Sequence, residues 1–252
     1  MANRPLAPGL KALTYIVFIV SLVWTAFFLA WVSLRLVDFG YPVLYRALDI
    51  EAHIARYGPE NRFKHGFETT DRAQRLAIFG QIVDAIQAGG RGLEDIRYTD
   101  SRGRTSVFLR HPEVVHLRSV ARLVDRLAWV SWLMLGGLVA SLTIMRAARL
   151  PPPRPGAVAA WTGVVVTAAA AFTLAWGPEE VFNTLHTWVF PAGEQWFFYY
   201  QESLMTTLMK APDLFGAIAI LLLLAALIYG AAIFAACRLW LLRQSAATPG
   251  QR

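Results

Sequence analysis

The sequence predicts an all-α membrane protein with four transmembrane helices, and its composition and charge distribution support this fold class. Hydrophobic residues make up 56% of the 252-residue chain and charged residues only 16%, whereas soluble domains contain about 45–50% and about 25% of these classes. The 9 tryptophans and 15 phenylalanines are typical of a chain that contacts the membrane interface. This composition excludes a disordered chain and a collagen-like chain. A disulfide scaffold is excluded because there is only 1 cysteine.

Four uncharged stretches are long enough to cross a bilayer. A helix rises about 1.5 Å per residue, so about 20 residues cross the roughly 30 Å of hydrocarbon. We predict spans at 12–34, 127–145, 156–177 and 214–237. The first span follows Arg4 and Lys11, as in a signal peptide, but it is longer than the about 7–15 apolar residues of a signal sequence. We therefore predict an uncleaved signal anchor.

One predicted side of the membrane carries basic residues without any acid. The N-terminus, the 146–155 loop and the 238–252 tail contain arginine and lysine but no acid, and all 17 acids lie elsewhere. Because short basic loops stay in the cytoplasm, we expect both termini there and the 35–126 and 178–213 segments outside. The formal net charge of +7 then reports topology and does not indicate nucleic-acid binding.

The 35–126 segment is predicted to form a small α+β extracytoplasmic domain. Apolar spacing and turn residues predict, in chain order, a helix from Ile50 to Tyr57, a helix from Arg72 to Gln87, and a hairpin from Ile96 to Leu109 that turns at Asp100–Gly103. A last helix is expected to start near Pro112 and to continue into the second span.

The 178–213 segment is long for a connection and rich in aromatic residues, including Trp188 and Trp196. This content is too apolar for a disordered loop. Helical spacing over Gln195 to Lys210 predicts an interfacial or re-entrant helix. The alternative is an aromatic belt that carries no chemistry.

The familiar catalytic motifs are missing from the sequence. It contains no G-x-S-x-G, no H-E-x-x-H and no glycine-rich phosphate loop, and no Asp or Glu lies within a span. The spans therefore give no sign of an ion pathway. Cys237 lies at the predicted cytoplasmic end of the last span and is expected to be inert, and we expect no cofactor.

Histidines are the remaining candidates for chemistry. His53 and His65 lie among ordinary polar residues, and we expect surface or structural roles for them. His116 precedes the second span and His186 follows the third, so both emerge on the same side of adjacent helices. The two imidazoles could therefore meet at headgroup level. The alternative is a pair of interfacial side chains bonded to backbone or water.

A metal site is a weaker interpretation of the same residues. His111, Glu113, His116 and His186 together resemble a zinc ligand set. The Glu-x-x-His spacing is too short to be specific, and we expect no metal.

The segments around both histidines resemble a known family. Glu113-Val-Val-His116-Leu-Arg-Ser-Val resembles the E-x-x-H-M-x-D-V stretch of the DUF1461 integral membrane proteins. The segment from Phe182 to Phe215, with His186 in it, resembles the family's F-H-x-x-F-F…W…P-x-x-F-F pattern. That family includes the lipoprotein intramolecular transacylases. One position departs from the pattern, because Ser119 stands where the family has aspartate. Glu113 or Asp125 could replace the missing carboxylate.

The resemblance implies an acyltransferase in the bacterial cytoplasmic membrane, with its site at the outer leaflet. The sn-2 acyl chain of a diacylglyceryl-cysteine lipoprotein would move to the protein's own N-terminal amine, giving the lyso-form lipoprotein. Histidine suits proton transfer near neutral pH, which assigns His116 as general base and His186 as its partner, in an order that could be reversed. Supporting roles fall to Glu113, Ser119, Trp188 and Trp196.

The implied partners are a diacylated bacterial lipoprotein as substrate and membrane lipid, with no nucleic acid. Two other functions stay open. One is a different lipid acyltransferase or a lipase at the same site. The other is a non-catalytic membrane receptor that uses 35–126 as its binding domain.

Overall fold

The computed structural model describes residues 6–246 of the chain. It divides the chain into two compact units. The first unit consists of Met1–Trp31, Ala128–Pro178 and Leu222–Arg252, and the second consists of Val32–Leu127 and Glu179–Leu221. The predicted tail beyond residue 246 lies outside the described residues.

Within the described part of the chain, four helices are long and apolar enough to cross a membrane. They are α1 (Pro8–Arg35), α5 (His111–Ala147), α6 (Pro155–Trp176) and α9, which is described from Asp213 to Ala246. At about 1.5 Å per residue, the shortest of them, with 22 residues, still measures about 33 Å. The helix α5 is unbroken, as the sequence predicted, and it begins at His111.

The first unit has a small apolar core between helices. Its buried members include Phe18 and Leu22 of α1, Leu138 of α5 and Leu241 of α9. Polar contacts accompany this core, since the Trp24 indole donates to the Ser131 hydroxyl at 3.0 Å. The helix α6 belongs to this unit and has no buried residue.

The second unit contains three shorter helices before the sheet: α2 (Tyr41–Ala47), α3 (Ile50–Tyr57) and α4 (Arg72–Gln87). The predicted bounds of α3 and α4 match the structure, whereas α2 was not predicted. Asp71 caps α4, because its carboxylate accepts from the Gln74 backbone N–H at 2.7 Å. The core is aromatic, with the Tyr41 ring stacked on the Phe79 ring at a centroid distance of 3.8 Å.

The predicted hairpin is confirmed, with strands shorter than expected. Strand β1 (Arg97–Thr99) pairs antiparallel with β2 (Thr105–Val107), and Tyr98 stands opposite Ser106. The Asp100 carboxylate closes the turn by accepting from the Arg102 and Arg104 backbone N–H groups.

The predicted helix over Gln195 to Lys210 is wrong in most of its length. Helices are found at α7 (Pro178–Val189) and α8 (Leu204–Met209), and residues 191–203 run without regular structure. Ser203 starts α8, since its hydroxyl accepts from the Thr206 backbone N–H at 3.0 Å. The aromatic residues before it differ in their surroundings. Phe198 is buried and the Tyr200 ring lies against the His53 ring at 4.5 Å, whereas Phe197 and Tyr199 are exposed and contact each other.

Hydrogen bonds connect α8 and the irregular segment to the rest of the second unit. The Tyr41 hydroxyl, fully buried, donates to the Leu208 carbonyl of α8 at 2.7 Å. The Lys210 ammonium, just after α8, donates to the Leu48 carbonyl, also at 2.7 Å. In the irregular segment, the Gln201 carbonyl accepts from the Arg62 backbone N–H at 2.8 Å. Loss of a buried hydrogen bond costs about 1–3 kcal/mol, so the bond from Tyr41 contributes to the position of α8.

Candidate active site

His116 lies near the start of α5, on a helix face that points into the second unit. Val114, Leu117 and Ala121 are buried on the same helix, and the His116 side chain is only 9% exposed. Glu113, one turn earlier, is fully buried, and its carboxylate accepts from the Arg110 backbone N–H. Glu113 therefore closes the first turn of α5, and this carboxylate contact is with the backbone and not with the ring of His116.

His186 lies on α7, whose first turn carries the acidic residues Glu179 and Glu180 that suit a helix N-terminus. Its ring Nδ1 lies 2.8 Å from the Phe182 carbonyl oxygen. Because a carbonyl can only accept, Nδ1 carries the hydrogen and Nε2 is the acceptor in the neutral ring. Burial lowers the pKa of His186 below its ordinary value of 6.5, against the opposing effect of the Phe182 carbonyl. The ring is therefore neutral at neutral pH.

The structure brings the two predicted histidines together. The ring centroids of His116 and His186 are 6.2 Å apart. The Phe190 ring contacts both, at centroid distances of 4.7 and 5.3 Å, and the Trp196 ring lies 4.9 Å from His186. Phe198 completes the surroundings at 6.2 Å from His116. The pair thus lies in an aromatic environment, in which His116 is buried and His186 is half-buried.

A carboxylate that the sequence did not predict lies beside the pair. Glu194, with a side chain only 7% exposed, places Oε1 3.4 Å from Nδ1 of His116. The two atoms are close but do not have the alignment of a hydrogen bond. The other carboxylate oxygen, Oε2, accepts from the Ser119 hydroxyl at 2.6 Å. Ser119 in turn accepts from the Arg122 guanidinium at 2.6 Å.

A tight turn delivers Glu194 to this position. The Glu194 backbone N–H donates to the Pro191 carbonyl at 3.1 Å, and Gly193 between them has a φ of 87°. Only glycine adopts this backbone conformation without strain. The Pro191-Ala-Gly-Glu sequence therefore gives a local signal for the turn, although it gives none for the contact with His116.

The other predicted residues fall into two groups. Ser119 and Trp196 lie at the pair, as described above. Trp188 is 77% exposed and His111 and Asp125 are exposed, so the structure does not bring these three to the ring of His116. Among the described residues, no group of three or more His, Cys, Asp or Glu side chains is placed to hold a metal ion.

The remaining histidines of the second unit are separate from the pair. His53 packs between the rings of Tyr57 and Tyr200 at 4.6 and 4.5 Å. Burial, with the nearby Lys210 charge, lowers its pKa to about 4. His65 is exposed, and its backbone carbonyl accepts from the Tyr98 hydroxyl.

The arrangement offers two imidazoles in one aromatic site, each of which can accept or donate a proton. It does not resemble a serine triad, because the Ser119 hydroxyl donates to Glu194 and a triad serine donates to the histidine. Ser119 is therefore placed to hold a carboxylate, and the two ring Nε2 atoms are the groups suited to acid–base work.

Neither a protein-family model nor a curated protein matches this chain in sequence, so assignment to DUF1461 stays a prediction. Solved structures do match. The chain is similar to the membrane integral lipoprotein intramolecular transacylase Lit from Bacillus cereus, at 13% identity and a TM-score of 0.61, with 96% of this chain and 100% of that chain covered. A histidine-to-arginine variant of the same protein gives a TM-score of 0.62 at 13% identity, with 96% of both chains covered.

This likeness covers nearly the whole chain, and it agrees with the four apolar helices among the described residues. The chain is a multi-pass membrane protein with the fold of a lipoprotein intramolecular transacylase.

Proposed function

We propose that this protein is a lipoprotein intramolecular transacylase. The observation that carries the proposal is the His116–His186 pair, with ring centroids 6.2 Å apart in an aromatic site, on a fold shared with a protein of that activity. The substrate is a lipoprotein whose N-terminal cysteine carries a diacylglyceryl group and a free α-amine. The product is the N-acyl lipoprotein with a lyso-glyceryl group.

The reaction needs no protein nucleophile. The α-amine nitrogen attacks the sn-2 ester carbonyl, the amide C–N bond forms, and the ester C–O bond breaks. Both reacting groups belong to one molecule, so positioning supplies much of the acceleration, with effective molarities that can reach about 10⁵–10⁸ M. The protein's task is then to move protons and to stabilise the oxyanion.

A pair of histidines matches the proton balance. The α-amine has a pKa near 8 and arrives mostly as the ammonium. One imidazole takes its first proton, which leaves the nucleophilic amine. The second imidazole takes the next proton as the amide forms. The first imidazole, now charged, stabilises the oxyanion and donates its proton to the departing glyceryl oxygen. One proton of the original ammonium is released from the second imidazole to solvent.

The contacts of the two rings support an order of roles. His186 is neutral at neutral pH and offers Nε2 as an acceptor, which suits the base that takes the proton during attack. Burial lowers the pKa of His116 as well, but the Glu194 carboxylate beside it opposes that shift, because an opposite charge favours the protonated imidazole. His116 therefore takes the role of proton donor and oxyanion partner. This is the reverse of the first assignment from sequence, within the pair that the sequence predicted.

We place the pair at the outer leaflet, with both termini in the cytoplasm, because the basic segments at the termini and at 146–155 contain no acid. Cysteines at Ser101 and Pro151, both exposed residues, test this in a Cys237→Ala background. An impermeant thiol reagent on intact cells should label the first site alone. Labelling of the second site alone would contradict the orientation. Cys237→Ala itself should keep full activity, since no step uses a thiol.

The activity itself is tested with purified protein in detergent and a synthetic diacylated lipopeptide. Intramolecular transfer is an isomerisation, so the peptide mass should stay unchanged, the amine should become unreactive to acylating labels, and tandem mass spectrometry should find the acyl chain on nitrogen. A mixture of peptides with light and deuterated sn-2 chains should give no crossed products.

The same assay distinguishes the alternatives. A peptide that is lighter by one fatty acid would indicate a lipase-like hydrolase, and crossed products would indicate transfer between molecules. Unchanged substrate with tight peptide binding would indicate a receptor. Any of these three results would contradict the proposed function.

The pH dependence of kcat gives a second test. Burial puts the pKa of His186 below 6.5, and a base must be deprotonated to act. The rate should therefore stay high at pH 6.5 and fall only at lower pH. A fall that is complete above pH 6.5 would exclude His186 as the base.

A further inference from the structure

The Glu194 carboxylate is a buried group with two separate attachments. Oε2 accepts from the Ser119 hydroxyl, and Oε1 faces Nδ1 of His116 at 3.4 Å. Burying a charged carboxylate is costly unless it is hydrogen-bonded or paired. Ser119 satisfies one oxygen, and the Arg122 guanidinium supplies positive charge behind it. The other oxygen has only the imidazole of His116 to compensate it among the contacts of the described residues.

The two unpaired atoms therefore face each other. Nδ1 of His116 and Oε1 of Glu194 both lack a hydrogen bond, and a small rotation of either side chain would align them. Such a bond strengthens when the imidazole carries a proton, because donor and acceptor are then both charged. The serine fixes the carboxylate while the imidazole changes its charge.

We propose that Glu194 is the positioning residue of His116, with Ser119 as the group that holds it. This inference rests on the proposed acyl transfer. Residues three apart on a helix share a face, so an aspartate at position 119 would lie beside His116. This chain has serine at that position, and Glu194 supplies the carboxylate in its place. The carboxylate comes instead from the turn after α7, and a serine on α5 accommodates it.

This arrangement predicts that the two sources of the carboxylate exclude one another. An aspartate at 119 together with Glu194 would put two negative groups where Oε2 and the serine oxygen are now 2.6 Å apart, and like charges so close cannot both ionise. An aspartate at 119 with an uncharged residue at 194 restores one carboxylate and one hydrogen-bonding partner.

The test is a set of variants assayed for kcat by the isomerisation of the diacylated lipopeptide. The kcat of Glu194→Gln should fall about 10- to 100-fold, which is less than the about 10²–10⁴-fold that an acid–base group itself contributes. Ser119→Asp should lose about as much. The double variant Ser119→Asp/Glu194→Gln should recover most of the rate. The matched control is Glu180→Gln, an exposed carboxylate on the same segment of chain, which should stay near wild type.

The pH profile of kcat separates positioning from a structural role. The ionisable groups that face His116 across the site are Glu194 and His186. Both imidazoles must be neutral before the first proton transfer, so the acidic limb reports their protonation and the substrate amine sets the alkaline limb. Without the carboxylate the pKa of His116 falls, so the acidic limb of Glu194→Gln should move to lower pH while the alkaline limb stays. The double variant should return the acidic limb to its place.

Three results would overturn the inference. They are a Glu194→Gln rate within twofold of wild type, a rate loss without a shifted acidic limb, and a double variant no better than the worse single variant. The wild-type chain controls for the proposed function, because absence of isomerised product from wild type would refute that function and this inference with it, whereas the three results above refute the inference alone. If Glu194→Gln does not fold, recovery of kcat in the double variant relative to Ser119→Asp decides the question.

Discussion

Two histidines of the second unit, His116 and His53, are both withdrawn from solvent but differ in the charges around them. His116 faces the Glu194 carboxylate and a second imidazole. His53 lies between two tyrosine rings. Burial and the positive charge of Lys210 lower its pKa to about 4, against the smaller opposing effect of the negative Asp213. Burial and the Lys210 charge thus keep the His53 ring neutral. Burial lowers the pKa of His116 as well, but there the Glu194 carboxylate opposes the shift and favours the protonated imidazole.

The largest expected effect is loss of either member of the pair. His116→Ala and His186→Ala should each reduce the transacylation rate about 10²–10⁴-fold, because each removes an acid–base group. The double substitution should cost little more than the worse single one, since groups that act as a unit are strongly non-additive. Turnover of the diacylated lipopeptide measures all three.

The control is His53→Ala, which should stay within a few-fold of wild type. Near-normal turnover in either His116→Ala or His186→Ala would remove the basis of the comparison, even though the shared fold would stand.

A smaller effect is expected for Ser119→Ala. This variant frees one oxygen of Glu194 but keeps the carboxylate beside His116, so the rate should fall less than in Glu194→Gln, by about tenfold for a typical hydrogen bond of about 1 kcal/mol or slightly more. An enzyme that forms an acyl-serine at this position would be inactivated completely. Single-turnover assays with mass spectrometry of the intact protein would detect such an intermediate.

The turn that delivers Glu194 offers a test without any change of polar groups. Gly193→Ala puts a Cβ at a φ of 87°, in open space, and the strain costs about 1–2 kcal/mol. The turn should relax, and the rate should fall about 3- to 10-fold as Glu194 moves away from His116.

Gly92 provides a matched control, because it has the same φ of 87° and the same open space but no part in the site. Gly92→Ala should lower the thermal unfolding midpoint in detergent about as much as Gly193→Ala does, but it should leave kcat unchanged. Equal losses of kcat in the two variants would show that the turn at Gly193 has no specific role in catalysis.

The smallest effect concerns stability and comes from His53. Its pKa is about 4 in the folded chain and 6.5 ordinarily, so the unfolded chain binds more protons between these values. Stability should therefore fall as pH drops from about 6.5 to about 4, by about 1 kcal/mol after allowance for solvent screening at a half-buried ring.

His53→Phe keeps the ring packing and removes the titration, so thermal unfolding in detergent should depend less on pH over this window. His65→Asn, at an exposed site, should leave the dependence as in wild type. An unchanged acid loss in His53→Phe would show that another group causes it.

The sequence predicted the parts of the fold that depend on local patterns. The bounds of α3 and α4 follow from apolar spacing and, at α4, from the Asp71 cap, and the spans follow from the absence of charge. The helix expected over Gln195 to Lys210 failed because its aromatic side chains pack against different parts of the second unit. The spacing of apolar residues along the sequence does not reveal contacts between residues that are far apart in the chain.

The candidate site divides in the same way. His116 and His186 were found because each lies in a recognisable segment beside a span. Glu194 was missed because its contact with Ser119 joins residues 75 positions apart. The turn at Gly193 is visible in the sequence, but the place to which it brings the carboxylate depends on the packing of α7 and α8. Without that packing, Glu113 and Asp125 were the nearest carboxylates in sequence.

The helix α6 has a consequence for how this sequence can change over time. None of its 22 residues is buried, so replacement of one exposed aliphatic residue by another removes little packing. We therefore expect α6 to tolerate exchange among alanine, valine, leucine and phenylalanine more readily than α1, in which Phe18 and Ala30 are buried. Comparisons of sequence are weakest where they rely on such a helix.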